Sequence, residues 1–481
     1  QVHHQVRFSG LMPRHEYTLW LWLTEWMFGY RLAAFATVLL LAGCGSVSDP
    51  SPITNDSVSL GDATDNAPAL DTPAPVTFDL ATEWLDPSVC KIEEYSEWRH
   101  ERVSPGQKYT GNATAFPFNP TTLPFQGELH VAMVFIDWED LSGTHEERDY
   151  YLEQAALFED FYAMASENTL DVVIHPSEEW FTIPESYRGF VTEPEEEAQR
   201  GEAPKKQVFY DAAVAASDDA YDYADMDVVF FGIPTGPKVF ANGLHEFNFD
   251  YNGFLSTDEG DIFDIAVAGD WFLNHHEDEP PWVYYVHEVG HMIGIQHLAN
   301  EDDQTEDRMW IRNPMNGYDI MADQGGASRT LSAWLRWLPG WLSDHQIVCL
   351  EKDSLVKGSY RIQHVNAIEG NLEAVVVKLS ERMALVVESR RFDPHLDRAS
   401  PNDKDGVLVY TVDGTKSAAQ GSQELLSPRD ITQMIPEPMW RDQRELDAMF
   451  FPGDSVEYDG IRVEMTASDG GFDIVTLSPA N

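Results

Sequence analysis

Eleven consecutive positions restrict this chain more than any other feature: His287-Glu288-Val-Gly-His291-Met-Ile-Gly294-Ile-Gln-His297. Read as a helix, His287 and His291 lie one turn apart on the same face, so their imidazoles can converge on one ion. Glu288 lies one position along and can face the open side of that ion without ligating it. Gly294 lets the chain leave the helix at an angle closed to a residue with a Cβ. The turn then brings His297 back as a third nitrogen. Three protein nitrogens with one position left open are the arrangement of catalytic rather than structural zinc. The pattern predicts a Zn2+ site made by His287, His291 and His297, with Glu288 as general base toward water.

The rest of the chain has to build a frame for that helix. Of the 481 residues, 43% are hydrophobic and 12% aromatic, which excludes global disorder and allows more than one core. Residues 129–136 form an apolar run ending at Asp137, read as a buried strand. Tyr151, Ala155, Phe158, Tyr162 and Ala165 recur at helical spacing after it. A short strand at 170–174, an alanine-rich helix at 208–220 and a buried strand at 228–233 follow. This alternation predicts an α/β (α+β) catalytic domain. After Cys349 the pattern changes to short runs rich in Val and Ile at 372–379, 384–388, 407–412, 461–465 and 472–477. Gly, Asp and Pro separate them, which predicts a C-terminal all-β, sandwich-like domain.

Charge narrows the function classes. Lys and Arg number 31 against 82 Asp and Glu, a net −51. Such a surface repels phosphate backbones and excludes a nucleic-acid binder. It is also a strongly hydrated surface suited to solubility in salt.

Residues 31–44 read RLAAFATVLLLAGC: one positive charge, an apolar run, small residues, then a cysteine. That is the layout of a secretory signal, too short for a dependable membrane span. Leu41-Ala42-Gly43-Cys44 resembles a bacterial lipobox. The resemblance implies a start at Met27, lipidation of Cys44 and a chain anchored through that lipid to a membrane of the bacterial cell envelope, or released outside it. The expected organisation is an upstream extension and signal peptide (1–43), a flexible acidic linker (44–78) and an N-terminal segment that is a candidate propeptide (79–124). A domain that carries the zinc pattern (125–349) and a β-rich accessory domain (350–481) complete it. In an oxidising compartment Cys90 and Cys349 form a disulfide, remain two buried thiols, or leave Cys90 to cap an active-site metal. His275-His276 reads as a polar surface loop. Asn402-Asp-Lys-Asp-Gly406 resembles half a calcium loop without its closing glutamate, and acidic turns of this kind offer structural Ca2+.

The segment HEVGHMIGIQH resembles the extended zinc signature of the metzincin metallopeptidases. That group carries a methionine-containing turn beneath the metal, and Tyr318-Asp-Ile-Met321-Ala-Asp323 stands at a suitable distance downstream. By resemblance, Met321 is the hydrophobic floor under the zinc ligands. Tyr318 is either a transition-state donor or a packing residue of the turn. The wider context is similar to the immune inhibitor A-type bacterial metallopeptidases. The similar stretches are Phe135-Ile136-Asp137, Ser166-Glu-Asn-Thr-Leu170, Leu331-Ser-Ala-Trp334, Pro339-Gly340-Trp341, Val386-Val-Glu388-Ser-Arg390 and Gly406-Val-Leu-Val409. This implies a zincin-like catalytic fold, peptide-bond hydrolysis and protein or peptide substrates. There are two departures. Members often carry aspartate at the third metal position, where this chain has His297. Several metzincins have a tyrosine two residues after the turn methionine, where this chain has Asp323. The competing expectation from another class is a surface adhesin or binding lipoprotein with a non-catalytic zinc site; a hydrolase of non-peptide amides is a third.

Overall fold

The apolar run ending at Asp137 is the spine of the first sheet. In the computed structural model, β1 (Gly127–Trp138) pairs in parallel with β2 (Leu170–Pro176) and, at its end, with β3 (Phe181–Ile183). Its other edge takes β4 (Val228–Gly232), also parallel. The edge strand β5 (Leu244–Glu246) is antiparallel to β8 (Ile265–Ala268), which runs parallel to β4. The order is therefore β2-β1-β4-β8-β5, with a separate two-stranded ribbon of β6 (Leu255–Ser256) and β7 (Asp261–Ile262). The described residues are 80–94, 114–120, 123–190, 206–235, 244–246, 254–269, 280–298, 315–326, 328–368, 370–397, 405–416, 420–429, 448–469 and 471–480. All belong to one compact unit, Val76–Asn481. Cys44, the expected signal and the whole of the expected linker, His275-His276, and Asn402 to Lys404 lie outside them.

Strands covered on both faces are continuously apolar. Along β1, Leu129, Val131, Met133 and Phe135 join a core with α1 (His145–Ala165) and α3 (Pro281–Ile293). Ala132, Val134, Ile136 and Trp138 join another with α2 (Lys206–Ser217). α1 begins at a capping box, Thr144 and Glu147 each accepting the other's backbone N–H. Its buried stripe contains Tyr151, Ala155, Phe158, Tyr162 and Ala165, the positions whose spacing marked the helix. No helix among the described residues is long and apolar enough to cross a membrane.

The described residues of the C-terminal region form strands joined by turns and short loops. One sheet runs β14 (Gln423–Leu426), β13 (Gly406–Asp413), β12 (Met383–Arg390), β11 (Ala374–Ser380), β9 (Ile347–Glu351). The other runs β10 (Gly358–Gln363), β17 (Phe472–Pro479), β16 (Ile461–Asp469), β15 (Ser455–Tyr458). Leu385, Val387, Val407 and Val409 meet Val463, Met465, Val475 and Leu477 between the sheets. The alternate side chains Ala384, Val386, Leu408 and Tyr410 point the other way and join the core that contains α1 and α3. The β region thus shares a core with the helices rather than hanging from them. Its first strand begins at Ile347, because β9 pairs in parallel with β11; a domain border between 349 and 350 runs through the middle of that strand.

The segment read as a candidate propeptide is built into this core at both ends. Ala81 donates to the Ser359 carbonyl at 2.8 Å and Leu85 to the Cys349 carbonyl at 2.9 Å. Cys90 and Cys349, both fully buried, are joined by a disulfide, so Cys90 has no thiolate to offer a metal. Phe116 meets Trp334 and Trp337 edge-on. The Trp334 and Trp341 indoles donate to the carbonyls of Thr114 and Phe125.

Candidate metal centre

Helix α3 starts at Pro281, where a missing N–H costs nothing, and ends at Gly294, whose φ of 122° suits a residue without Cβ. Almost every residue between them is buried, so the helix is a central rod rather than a surface element. The Tyr162 hydroxyl donates to the Val286 carbonyl at 2.9 Å and fixes the rod against α1.

Beyond Gly294 the chain turns back. Ile295 donates to the Gly290 carbonyl at 2.8 Å, and Leu298 to the Met321 carbonyl at 3.1 Å. His297 is carried between these two anchors to the ligand face of α3. Nε2 of His287 stands 2.7 Å from Nε2 of His297 and 3.2 Å from Nε2 of His291. Among the described residues this is the one cluster of three side chains able to hold a metal ion.

The other ring nitrogens settle the protonation. Nδ1 of His287 lies 2.9 Å from the Ile320 carbonyl, and Nδ1 of His291 lies 2.9 Å from the Ile295 carbonyl. A carbonyl oxygen only accepts, so each Nδ1 carries a proton, and in the neutral ring each Nε2 keeps a lone pair. Lone pairs brought this close repel unless a proton or a metal cation sits among them. Three neutral imidazole nitrogens suit Zn2+ and similar borderline ions. The residues present therefore fit the metal that the sequence pattern implies.

Glu288 follows His287 on the helix and is 5% exposed. Burial pushes its carboxyl from an ordinary value of 4.5 up to about 8. Met321 lies beneath the motif: a Cβ on Gly290 would stand 3.0 Å from its Sδ. Tyr318 is 1% exposed and belongs to the central core, in the short turn Asn316–Tyr318.

Three neighbours of the site escaped the reading of the sequence. Gly290 could have been noticed, since a glycine inside an apolar helix costs about 1 kcal/mol relative to alanine and implies a close approach. Asp319 is fully buried; Oδ1 accepts from Met321 N–H at 2.8 Å and Oδ2 from Ser332 N–H at 2.7 Å. Burial pushes its carboxyl up to about 6, against the pull of those two amides and of Arg390. Glu388 accepts the next amide, Ala333 N–H, at 2.7 Å, at the start of α4 (Ala333–Trp337). It also accepts from the Tyr410 hydroxyl at 2.8 Å and the Arg390 guanidinium at 2.6 Å. Opposite charges two apart in an apolar strand face one side together, which was the available signal for Glu388 and Arg390.

No protein-family model matches the chain, and no curated protein matches it. Among solved structures, wild-type OgpA from Akkermansia muciniphila is similar at 11% identity and a TM-score of 0.23, over 66% of this chain and 96% of that one. A catalytically inactive OgpA from the same organism, in complex with an O-glycopeptide (glycodrosocin) substrate, is similar at 9% identity, with the same coverage and TM-score. A likeness of this size leaves function to be argued from the chain's own side chains.

Proposed function

We propose that this chain is a zinc-dependent endopeptidase of the metzincin type, with a zincin-like catalytic fold, acting on peptide bonds of extracellular or envelope proteins. The observation that carries the reading is the convergence of three Nε2 atoms, two of them with Nδ1 protons committed to carbonyls, beside the buried Glu288. His287, His291 and His297 would hold the ion. When bound, zinc supplies Lewis-acid polarisation of the scissile carbonyl and lowers the pKa of water.

The chain's own groups do the proton work. The Ile320 and Ile295 carbonyls keep His287 and His291 in the ligating tautomer. Glu288 takes the proton of the attacking water and returns it to the leaving amine. A cation held by the three histidines would favour the carboxylate form of Glu288, the form able to take a proton. Tyr318 packs the turn. Placement at the cell envelope rests on residues 31–44 and Cys44.

The test is metal content together with cleavage of unfolded casein, wild type beside Glu288→Ala. The reading expects about one zinc per chain in both proteins and a loss of cleavage of at least about 100-fold in the variant. A wild type without zinc, or a variant that still cleaves, overturns it. A binding lipoprotein would hold zinc in both and cleave in neither.

A further inference from the structure

We propose that Asp319 is a positioning residue of the metal centre: it holds the Met321 turn so that the Ile320 carbonyl keeps His287 in its ligating tautomer. The inference rests on the zinc reading, and its argument is geometric.

The turn meets the ligands at two places. The Ile320 carbonyl receives His287 Nδ1–H at 2.9 Å, and the Met321 carbonyl receives the N–H of Leu298, the residue after His297, at 3.1 Å. The carbonyls of Ile320 and Met321 therefore have to sit at set heights under α3. Asp319 has the means to put them there. Its side chain takes the amide of Met321 with one oxygen and that of Ser332 with the other, tying the turn to the start of α4. Its own carbonyl takes the amides of Ala322 at 2.9 Å and Asp323 at 3.0 Å. The side chain is 0% exposed, so water has no access to replace a lost acceptor. Only a carboxylate offers two acceptor oxygens and no donor; an amide would aim an N–H at one of the two backbone N–H groups. Asp319 touches neither substrate nor ion. It acts through Ile320 on His287, the kind of outer partner that orients a ligating histidine.

Glu388 supplies the control. It too is a fully buried carboxylate and accepts the very next amide along, while its hydrogen-bond partners among the described residues are Ala333, Tyr410 and Arg390. The test compares the full chain with Asp319→Asn and Glu388→Gln. Nitrogen-15 NMR of labelled histidines reads the His287 tautomer in metal-free protein, and chelator competition reads zinc affinity. The wild type should show His287 protonated at Nδ1. Asp319→Asn should show mixed tautomers and a zinc Kd raised about 10- to 100-fold. Glu388→Gln should melt earlier yet keep the wild-type tautomer and a Kd within about 3-fold.

An Asp319→Asn protein with the wild-type tautomer and affinity overturns the proposal. So does a Glu388→Gln protein that shifts both readouts equally. If Asp319→Asn does not fold, amide exchange in the wild type decides instead. Met321 and Ser332 N–H should then exchange as slowly as the α3 core, and exchange at an open-loop rate overturns the proposal. A wild type that binds no zinc sinks the zinc reading, while the tautomer measurement still decides the role of Asp319.

Discussion

The thioether of Met321 lies against the backbone of Gly290: a Cβ there would stand 3.0 Å from Sδ and 3.2 Å from Cε. Helix α3 accepts a poor helix former at that position because the floor of the site needs the space. Gly290→Ala gains about 1 kcal/mol of helix propensity and meets an overpacking cost of about 1–3 kcal/mol. A net loss of stability is expected. Pairing it with Met321→Ala should expose a coupling of at least about 0.5 kcal/mol in a denaturation cycle. Additive effects of the two changes would show that the contact does not exist in solution.

Glu288 makes the metal-free protein sensitive to pH. Its folded pKa of about 8 lies above the ordinary 4.5, so the folded state holds the proton more tightly. Stability should therefore fall as pH rises from about 4.5 to about 8, by an amount on the order of a few kcal/mol. Glu288→Gln removes this group from the titration. Urea midpoints of the metal-free proteins should favour the variant at pH 8 and converge toward pH 5. Parallel pH curves would contradict the burial of this carboxyl.

Arg336 is fully buried and donates to the Ala165 carbonyl at 2.7 Å. It also pairs with the fully buried Glu373 at 3.1 Å and with Glu167 at 3.5 Å. Arg336→Met strands Glu373 without its cation and should cost about 3–5 kcal/mol in chemical denaturation. Adding Glu373→Leu should recover more than half of that loss. A double variant no better than the single one would show that the pair is not coupled.

Protons and zinc compete for the same Nε2 atoms, because the Nδ1 protons of His287 and His291 are already placed. A chelator should abolish casein cleavage and added zinc should restore it. The rate should fall as the medium is made acidic, and raising free zinc should move that fall to lower pH. An acid limb indifferent to zinc concentration would exclude this competition.

The three-histidine cluster was legible because it is local. Spacings of four and ten residues from His287, with Gly294 between them, place three imidazoles together once a single helix forms. The helix over Tyr151 to Ala165 was legible for the same reason. Strands β10 and β15 were not: they are short and half exposed, and polar residues interrupt their apolar ones. Asp319 was hidden because one of its partners, Ser332, lies 13 residues away in sequence, in a separate element. The double duty of β12 was hidden too. An apolar strand between two cores reads in sequence much like one in a simple sandwich.

That double duty governs the order in which the protein can become active. Val386, Leu408 and Tyr410 pack in the same core as Val286 and Met321, and Glu388 caps the helix next to the Met321 turn. Chain released from a ribosome as far as Leu298 already contains all three histidines, but not the wall they lean on. Synthesis has to run through β13 (Gly406–Asp413) before that wall exists. A histidine cluster arranged in this way stays unsupported while the β region behind it is still being made.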